Sequence, residues 1–215
     1  MPYQTLCFDY DGTIHDSMHI YFNAFLKAYD YLVTHGYQSP KAWSKEEVKV
    51  FLGQNPPEMW ASFKPEIPQH IIAIVSQLIG EEMKKAILNH EAKLYEGALE
   101  TLQYLKDKGY QLVYLSNSKI YYMEANKNEF KLDTYFHRFV VSEMFDFIPK
   151  KDILAYIKDE LAHPILMIGD RIHDIESGLA NHIDTIACLY GYGQEKEFVG
   201  ATYQIRDIRE LKNIL

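Results

Sequence analysis

The sequence is poor in cysteine, has no long apolar run and carries no excess of positive charge, and each shortage excludes a class of protein. The two cysteines among 215 residues, Cys7 and Cys188, lie in apolar runs and do not form the disulfide framework of a small secreted domain. No apolar run is long enough to span a bilayer. The net charge of -8 argues against a general nucleic-acid or anionic-membrane surface.

The composition is otherwise that of a globular protein. The hydrophobic fraction is 47% and the charged fraction is 24%, which are ordinary values. A chain of 215 residues can bury one sizeable core, or a core with a smaller inserted domain. The N-terminus lacks the basic start and apolar core of a signal peptide. We therefore expect a cytoplasmic protein with reduced, buried thiols, no nucleic-acid partner and no membrane contact. The oligomeric state does not follow from the sequence.

The most informative stretch is an apolar run that ends in two aspartates, Leu6-Cys7-Phe8-Asp9-Tyr10-Asp11-Gly12-Thr13. If the run is a buried strand, Asp9 and Asp11 leave its end on the same side, because side chains alternate along a strand. Two carboxylates this close repel each other unless a positive charge lies between them, and hard oxygen ligands suit Mg²⁺. Plain turn chemistry is the alternative, because Asp and Gly dominate tight turns. An EF-hand calcium loop fits poorly, since its glycine falls later.

Two regions of the chain differ in their predicted secondary structure. From about Asp16 to Lys93 the pattern is helical, with a capping-box pair at Ser44 and Glu47 and an apolar-periodic stretch from Ile71 to Leu94. Within it, 51–56 has the glycine and polar residues of a functional loop, although a plain interhelical turn explains it equally well. From Gly97 onward, strands are predicted at 111–115, 139–141, 165–168, 185–189 and 202–205. Helical faces are predicted at 98–105 and 153–161, and a closing helix follows the last strand.

Near-continuous apolar strands separated by helices predict a parallel sheet covered on both faces. The strand that precedes Asp9 belongs to the same sheet, so the helical block interrupts an α/β domain. We therefore predict a doubly wound α/β core formed by residues 1–14 and 95–215, with an all-helical insertion at 15–94.

Polar side chains collect where the predicted strands end, which is where open α/β sheets bind ligands. They are Asp9, Asp11 and Thr13 after the first strand, Ser116 and Asn117 after the next, Asp170 and Asp174 after the strand at 165–168, and Lys150 and Lys151 at the start of the preceding helix. Each has a simpler explanation. Ser116 could cap a helix, the two lysines could be a solvated pair, and the two later aspartates could complement a helix dipole. Together they favour one functional site.

Four of these segments, in this order, resemble the motifs of the haloacid dehalogenase (HAD) superfamily. The matching residues are Asp9-Tyr10-Asp11-Gly12-Thr13, then Ser116, then Lys150 or Lys151, then Gly169-Asp170 with Asp174. The longer stretches 8–17, 168–174 and 189–193 resemble its phosphoglycolate-phosphatase-like members in particular. Two features depart from the family pattern. Ile14-His15 replaces the usual Leu-Val pair, and the lysine motif lacks the common Lys-Pro pairing. We favour Lys150 as the lysine of the third motif.

The resemblance implies a Rossmann-like core with a helical (C1-type) cap and a magnesium-dependent phosphatase that works through an aspartyl-phosphate. Asp9 would be the nucleophile and Asp11 the general acid and base. Ser116 and Lys150 would stabilise the phosphoryl group, with further phosphate contacts from Gly12, Thr13 and Asn117. The implied Mg²⁺ ligands are Asp9, Asp11 through its main-chain oxygen, Asp170 and Asp174.

The implied substrate is a small phosphorylated metabolite, such as phosphoglycolate, a sugar phosphate, a nucleoside monophosphate or pyrophosphate. Asp11 argues against dehalogenases and phosphonatases of the superfamily, which lack this aspartate. A sugar phosphomutase keeps the same core residues and stays open. Two readings from other classes also stay open, a receiver-like signalling module and a non-catalytic phosphate-binding protein, because fold does not determine function.

Overall fold

The computed structural model describes residues 3–54 and 56–215. The chain divides into two compact units. One unit, here called the core unit, comprises the chain up to Asp16 and from Leu94 onward, and the other, the helical unit, comprises Ser17–Lys93. The boundaries predicted from the sequence, 1–14 and 95–215 against 15–94, differ from these by one or two residues. The interpretation of the units as catalytic core and cap stays a prediction.

Strands and helices alternate in the core unit, whereas the described part of the helical unit contains helices only. The strands are β1 (Thr5–Phe8), β2 (Gln111–Ser116), β3 (Arg138–Val141), β4 (Ile165–Gly169), β5 (Asp184–Cys188) and β6 (Tyr203–Ile205). The helices are α1 (Met18–Thr34), α2 (Lys45–Lys49), α3 (Pro56–Ala61), α4 (Gln69–Leu88), α5 (Ala98–Asp107), α6 (Ile120–Phe130), α7 (Lys150–Ile157), α8 (Ile172–Asn181) and α9 (Leu211–Ile214). Short 3-10 turns lie at Leu132–Thr134, Ser142–Phe145, Lys158–Glu160, Glu195–Phe198 and Ile208–Glu210.

The strands of the core unit form one parallel sheet in the order β3-β2-β1-β4-β5-β6. Leu6 of β1 pairs with Leu112 of β2 and Leu166 of β4, and all three side chains are fully buried. The chain runs from β1 outward in one direction to β3 and then in the other direction to β6. The carboxyl ends of β1 and β4 therefore flank the switch point, where such sheets bind ligands.

Both faces of the sheet are covered. Cys7, Val113 and Met167 pack with Ile153 and Leu154 of α7 in one apolar cluster. Their sequence neighbours on the central strands point to the opposite face and are fully buried as well, which requires a second layer. The predicted fold class, a doubly wound α/β sheet, is confirmed.

Two helices of the core unit differ from the sequence-based expectation. The apolar face predicted up to Leu161 belongs to a helix that ends at Ile157. Leu161 lies beyond a 3-10 turn and packs against the same cluster, so its apolar character reflects burial rather than helix. No helix was predicted between Ser118 and Phe139, where α6 lies. The buried residues of α6 include Tyr122 and Asn126, so this helix has no clear apolar stripe.

The helical unit is built on α1, which packs against α4, and on an aromatic cluster. Trp43 packs edge-on against Phe25 and Tyr29, with ring centroids 5.1 and 5.2 Å away. The predicted capping box at the start of α2 is confirmed, because Glu47 N–H donates to Ser44 Oγ and Ser44 N–H to Glu47 Oε2.

One helix of the helical unit is shorter than predicted, and the role of one of its loops stays open. The helix predicted from Ile71 to Leu94 ends at Leu88, and His90 adopts a positive φ of 60° that no helix continues through. The segment 51–56 turns at Gly53, which has a φ of 82°. Asn55, within that segment, lies outside the described residues, so the functional interpretation of this loop stays a prediction.

Cys7 and Cys188 are both buried and free, as the apolar runs around them predicted. In the described ranges, no helix has both the length and the apolar composition to cross a bilayer.

Replacing Leu154 by alanine should lower the free energy of unfolding by about 2–5 kcal/mol, because Leu154 is fully buried in the cluster under the sheet and its loss leaves a cavity. The control is Val199→Ala, which truncates an aliphatic side chain that is 76% exposed and should change stability by about 0.5 kcal/mol or less. Urea denaturation followed by circular dichroism measures both. Similar values for the two variants would contradict the packing of α7 on the sheet.

Candidate active site

The residues after β1 form a closed loop that aims two aspartates in different directions. The N–H groups of Ile14 and His15 each donate to the carbonyl of Tyr10 at 2.9 Å, and Gly12 N–H donates to the carbonyl of His15 at 2.9 Å. Gly12 has a φ of 83°, and a Cβ there would lie 2.1 Å from Asp170 Oδ2. Only glycine meets both demands, so the glycine of the motif is required by the loop and by the close approach of Asp170.

Strand ends and helix starts bring the other predicted residues to the same edge of the sheet. Asp9 follows β1, Asp170 follows β4, and Asp174 lies in the first turn of α8. Ligand oxygens of these three carboxylates lie within 4.8 Å of one another, and all three side chains are buried. We call Asp9, Asp170 and Asp174 the acidic cluster.

Lys150 supplies positive charge to the acidic cluster. It is the first residue of α7 and is buried, and its Nζ lies 2.6 Å from Asp9 Oδ1 and 2.6 Å from Asp174 Oδ1. Lys151, the alternative left open by the sequence, is exposed. A helix turns by about 100° per residue, so only one of two adjacent lysines can point into the site. The geometry therefore favours Lys150.

Burial and mutual repulsion perturb the ionisation of this site. Burial raises the pKa of Asp9 from 3.8 to about 7, Lys150 opposes the rise, and the Asp174 carboxylate adds to it. Burial also raises the pKa of Asp170 well above its usual range, with further contributions from Asp9 and Asp174. Burial alone would lower the pKa of Lys150, but the carboxylates of Asp174 and Asp9 outweigh it and raise the pKa. The site is thus short of positive charge.

The acidic cluster fits a hard divalent cation. Its donor atoms are carboxylate oxygens, which Mg²⁺ prefers. The raised pKa of Asp170 indicates that these carboxylates lack the positive charge that would offset their burial and mutual repulsion. Tyr192 N–H donates to Asp170 Oδ2 at 2.6 Å, and Thr13 Oγ1 donates to Asp170 Oδ1 at 3.3 Å. The N–H of Arg171 donates to Asp174 Oδ2 at 2.9 Å. These bonds hold two of the carboxylates in one orientation each.

The carboxylate of Asp11 lies outside the acidic cluster. Tyr122 Oη donates to Asp11 Oδ1 at 2.7 Å, and His15 Nδ1 lies 3.0 Å from the same oxygen. The initial idea of one cation between the side chains of Asp9 and Asp11 therefore does not describe this site. Neither Tyr122 nor the contact of His15 was predicted. His15 did stand out as a departure from the family pattern, but nothing in the sequence marked Tyr122.

The remaining predicted residues fall into two groups. Ser116 is buried at the end of β2, next to β1, and the half-buried Asn117 follows it. Gly12 and Thr13, however, already use their donors, because Gly12 N–H bonds to the carbonyl of His15 and Thr13 N–H to the carbonyl of Tyr10. These bonds make Gly12 and Thr13 part of the support of the loop and of Asp170, and their contact with phosphate stays a prediction.

Comparison with known proteins gives the family. A model of haloacid dehalogenase-like hydrolases matches residues 6–188. A pyrophosphatase, PpaX, from Bacillus mycoides is 23% identical over 192 residues, which cover 87% of this chain and 84% of that protein. A 5'-nucleotidase from Pseudomonas aeruginosa is 26% identical over 132 residues, which cover 59% of this chain and 60% of that protein.

The fold comparison agrees with the family model. A crystal structure from Haemophilus somnus, described as a predicted phosphoglycolate phosphatase, superposes with a TM-score of 0.82 at 18% identity, covering 100% of this chain and 98% of the other. The chain belongs to the haloacid dehalogenase-like hydrolases. The predicted resemblance is confirmed, and so is the prediction that the protein is an enzyme, a hydrolase that resembles the phosphatases of this family.

The metal-free protein should lose stability relative to Asp9→Asn as the pH rises. The folded-state pKa of Asp9 is raised to about 7 from 3.8, so its contribution to stability is complete below about pH 4 and is lost as the pH rises through about 7. Urea unfolding in EDTA at pH 5 and pH 8 should show the difference move in favour of Asp9→Asn by more than about 1 kcal/mol. Asp159→Asn, which changes an exposed carboxylate, is the control. A constant difference for Asp9→Asn would contradict the electrostatics of the site.

Proposed function

We propose that this protein is a magnesium-dependent phosphatase that hydrolyses a small phosphorylated metabolite through an aspartyl-phosphate on Asp9. The observation that carries the proposal is the convergence of three buried carboxylates, Asp9, Asp170 and Asp174, around Lys150 at the switch point of the sheet. Structural sites rarely bury this much like charge, because each ionised carboxylate is costly to desolvate.

In the proposed first step, a carboxylate oxygen of Asp9 forms a bond to phosphorus while the bond from phosphorus to the leaving oxygen breaks. Hydrolysis of the resulting aspartyl-phosphate releases phosphate, so one difficult step is divided into two easier ones. Asp11 donates a proton to the leaving oxygen and later takes one from the attacking water. Asp11 is 19% exposed, which suits a group that exchanges protons with substrate and water.

The phosphoryl oxygens need positive partners on an acidic protein. Lys150 is the buried cation at Asp9. Ser116 is the last residue of the neighbouring strand β2, and Asn117 follows it. We propose that these three residues bind the phosphoryl oxygens. Asp9, Asp170, Asp174 and the main-chain oxygen of Asp11 would hold Mg²⁺, which supplies charge stabilisation for phosphoryl transfer.

The family and its relatives support a small phosphorylated metabolite as the substrate. The relatives named above are a pyrophosphatase and a 5'-nucleotidase, and the motif resemblance adds phosphoglycolate and sugar phosphates. All are small, and we propose that the helical unit, inserted directly after the first motif, acts as the cap that selects among them. Turnover of these four classes with Mg²⁺, compared by kcat/KM, identifies the substrate.

Asp9→Asn should abolish magnesium-dependent release of phosphate from the best substrate of that screen, with a loss of at least roughly 10³-fold in kcat. Asp159→Asn, which changes an exposed carboxylate in the 3-10 turn Lys158–Glu160, should retain wild-type kcat. Acid quenching with ³²P-labelled substrate should leave label on the wild-type protein and none on Asp9→Asn.

Three outcomes would contradict the phosphatase proposal. Full activity of Asp9→Asn would show that Asp9 is not the nucleophile. A stable acyl phosphate without turnover would favour a receiver-like module. Interconversion of sugar-phosphate isomers without net phosphate release would favour a mutase.

Lys150→Met should lower kcat/KM by roughly 10²- to 10³-fold, because it removes the buried positive charge that faces the phosphoryl group in the proposed complex. Lys151→Met is the matched control, since it removes the same charge from the next residue, which is exposed. It should change kcat/KM by less than about threefold. Equal losses in the two variants would show that Lys150 is not the phosphate-binding lysine.

A further inference from the structure

Among the described residues, the partners of the Asp11 carboxylate all contact one oxygen, Oδ1. Tyr122 of α6 donates its hydroxyl to Asp11 Oδ1 at 2.7 Å, and His15 Nδ1 lies 3.0 Å from Oδ1 and 3.0 Å from the Tyr122 hydroxyl. The three side chains thus form a closed triangle around a single oxygen. An arrangement of this kind restricts rotation of the carboxylate far more than one bond does.

His15 is placed for this contact rather than for its packing. Its side chain is fully buried and stacks on Tyr10 with ring centroids 5.1 Å apart. Its Nε2 is buried with no hydrogen-bond partner in the described part of the chain, a costly condition for a polar atom. An apolar ring would pack here without that cost. Because an ionised carboxylate only accepts hydrogen bonds, Nδ1 is the nitrogen that carries hydrogen toward Asp11.

We propose that His15 and Tyr122 are positioning residues for Asp11: they fix its carboxylate through Oδ1 so that Oδ2 carries the transferred proton. The inference rests on the proposed phosphatase function and adds two residues to it. Neither residue touches the substrate in this proposal, since both act through Asp11.

The positioned oxygen acts when the leaving group departs. As the bond between phosphorus and the leaving oxygen breaks, its electron pair stays on that oxygen, which takes the proton from Asp11 Oδ2. Asp11 is left as a carboxylate that still accepts from Tyr122 and His15. The benefit of a well-placed acid is greatest when the leaving group is basic and needs the proton, and smallest when it leaves unaided.

This dependence on the leaving group separates positioning from plain structural support. With saturating Mg²⁺, kcat/KM for Tyr122→Phe and for His15→Phe should fall roughly 10- to 100-fold with phenyl phosphate. With 4-nitrophenyl phosphate, whose phenolate is a good leaving group, it should fall less than about threefold. Asp11→Asn should show the same preference more strongly. Adding Tyr122→Phe to Asp11→Asn should not change the ratio of the two substrates further, because both act on one group.

Tyr10→Phe is the matched control. It removes a buried tyrosine hydroxyl beside His15 that donates to Asn126 Oδ1 at 3.0 Å instead of to Asp11. Its effect should be the same factor for both esters. Circular dichroism and a melting curve for each variant establish that it is folded. Tyr122→Phe deletes a single oxygen, so it keeps the test available if His15→Phe does not fold.

The outcomes distinguish the inference from the function it rests on. If the wild-type protein with Mg²⁺ hydrolyses neither ester nor any of the four metabolite classes, the proposed function fails and the inference fails with it. If the wild type is active but Tyr122→Phe and His15→Phe slow both esters by the same factor, the inference alone is overturned.

Discussion

The structure depends on keeping three carboxylates, Asp9, Asp170 and Asp174, buried within a few ångströms of one another. Burial and repulsion both oppose their ionisation, which is why the pKa of Asp9 is raised to about 7. The buried ammonium group of Lys150 offsets part of this repulsion, because it contacts two of the three carboxylates, those of Asp9 and Asp174. Parallel strands end at a common edge, and this topology makes it possible to draw these four residues from distant parts of the chain.

The same constraint explains the glycines and the local hydrogen bonds around the acidic cluster. Any Cβ at Gly12 or Gly191 would collide with the side chain of Asp170. At these two positions only glycine lets the backbone come this close to Asp170. Asp9 and Asp11, only two positions apart, consequently have different surroundings. Asp9 lies in a buried field of like charge, whereas Asp11 is more accessible and accepts two hydrogen bonds. Two carboxylates in different environments can take different chemical roles.

Most of the fold and part of the candidate site could be predicted from the sequence, because strands and the residues that follow them are marked by local sequence patterns. Buried strands are near-continuous apolar runs, and a residue that follows such a run lies at the sheet edge. The choice between Lys150 and Lys151 depends on helix phase, which the Lys-Lys pair alone does not reveal. Tyr122 could not be predicted, because its contact with Asp11 spans 111 positions and α6 lacks an apolar stripe. The contact of Gly12 and Thr13 with phosphate stays a prediction. Their support of the loop and of Asp170 depends on hydrogen bonds that the sequence does not reveal.

The charge balance of the site explains how an acidic protein would bind the anionic substrate that we propose. When ionised, the acidic cluster carries three negative charges and Lys150 carries one positive charge, which leaves a deficit that a divalent cation matches. Without that cation, the raised pKa of Asp9 keeps part of the Asp9 carboxyl protonated near neutral pH. Binding of a cation by the acidic cluster therefore favours both the ionised form of Asp9 and the approach of a phosphate monoester, which brings roughly two further negative charges. The proposed requirement for metal and the ionisation of Asp9, the proposed nucleophile, thus both depend on the same buried charge.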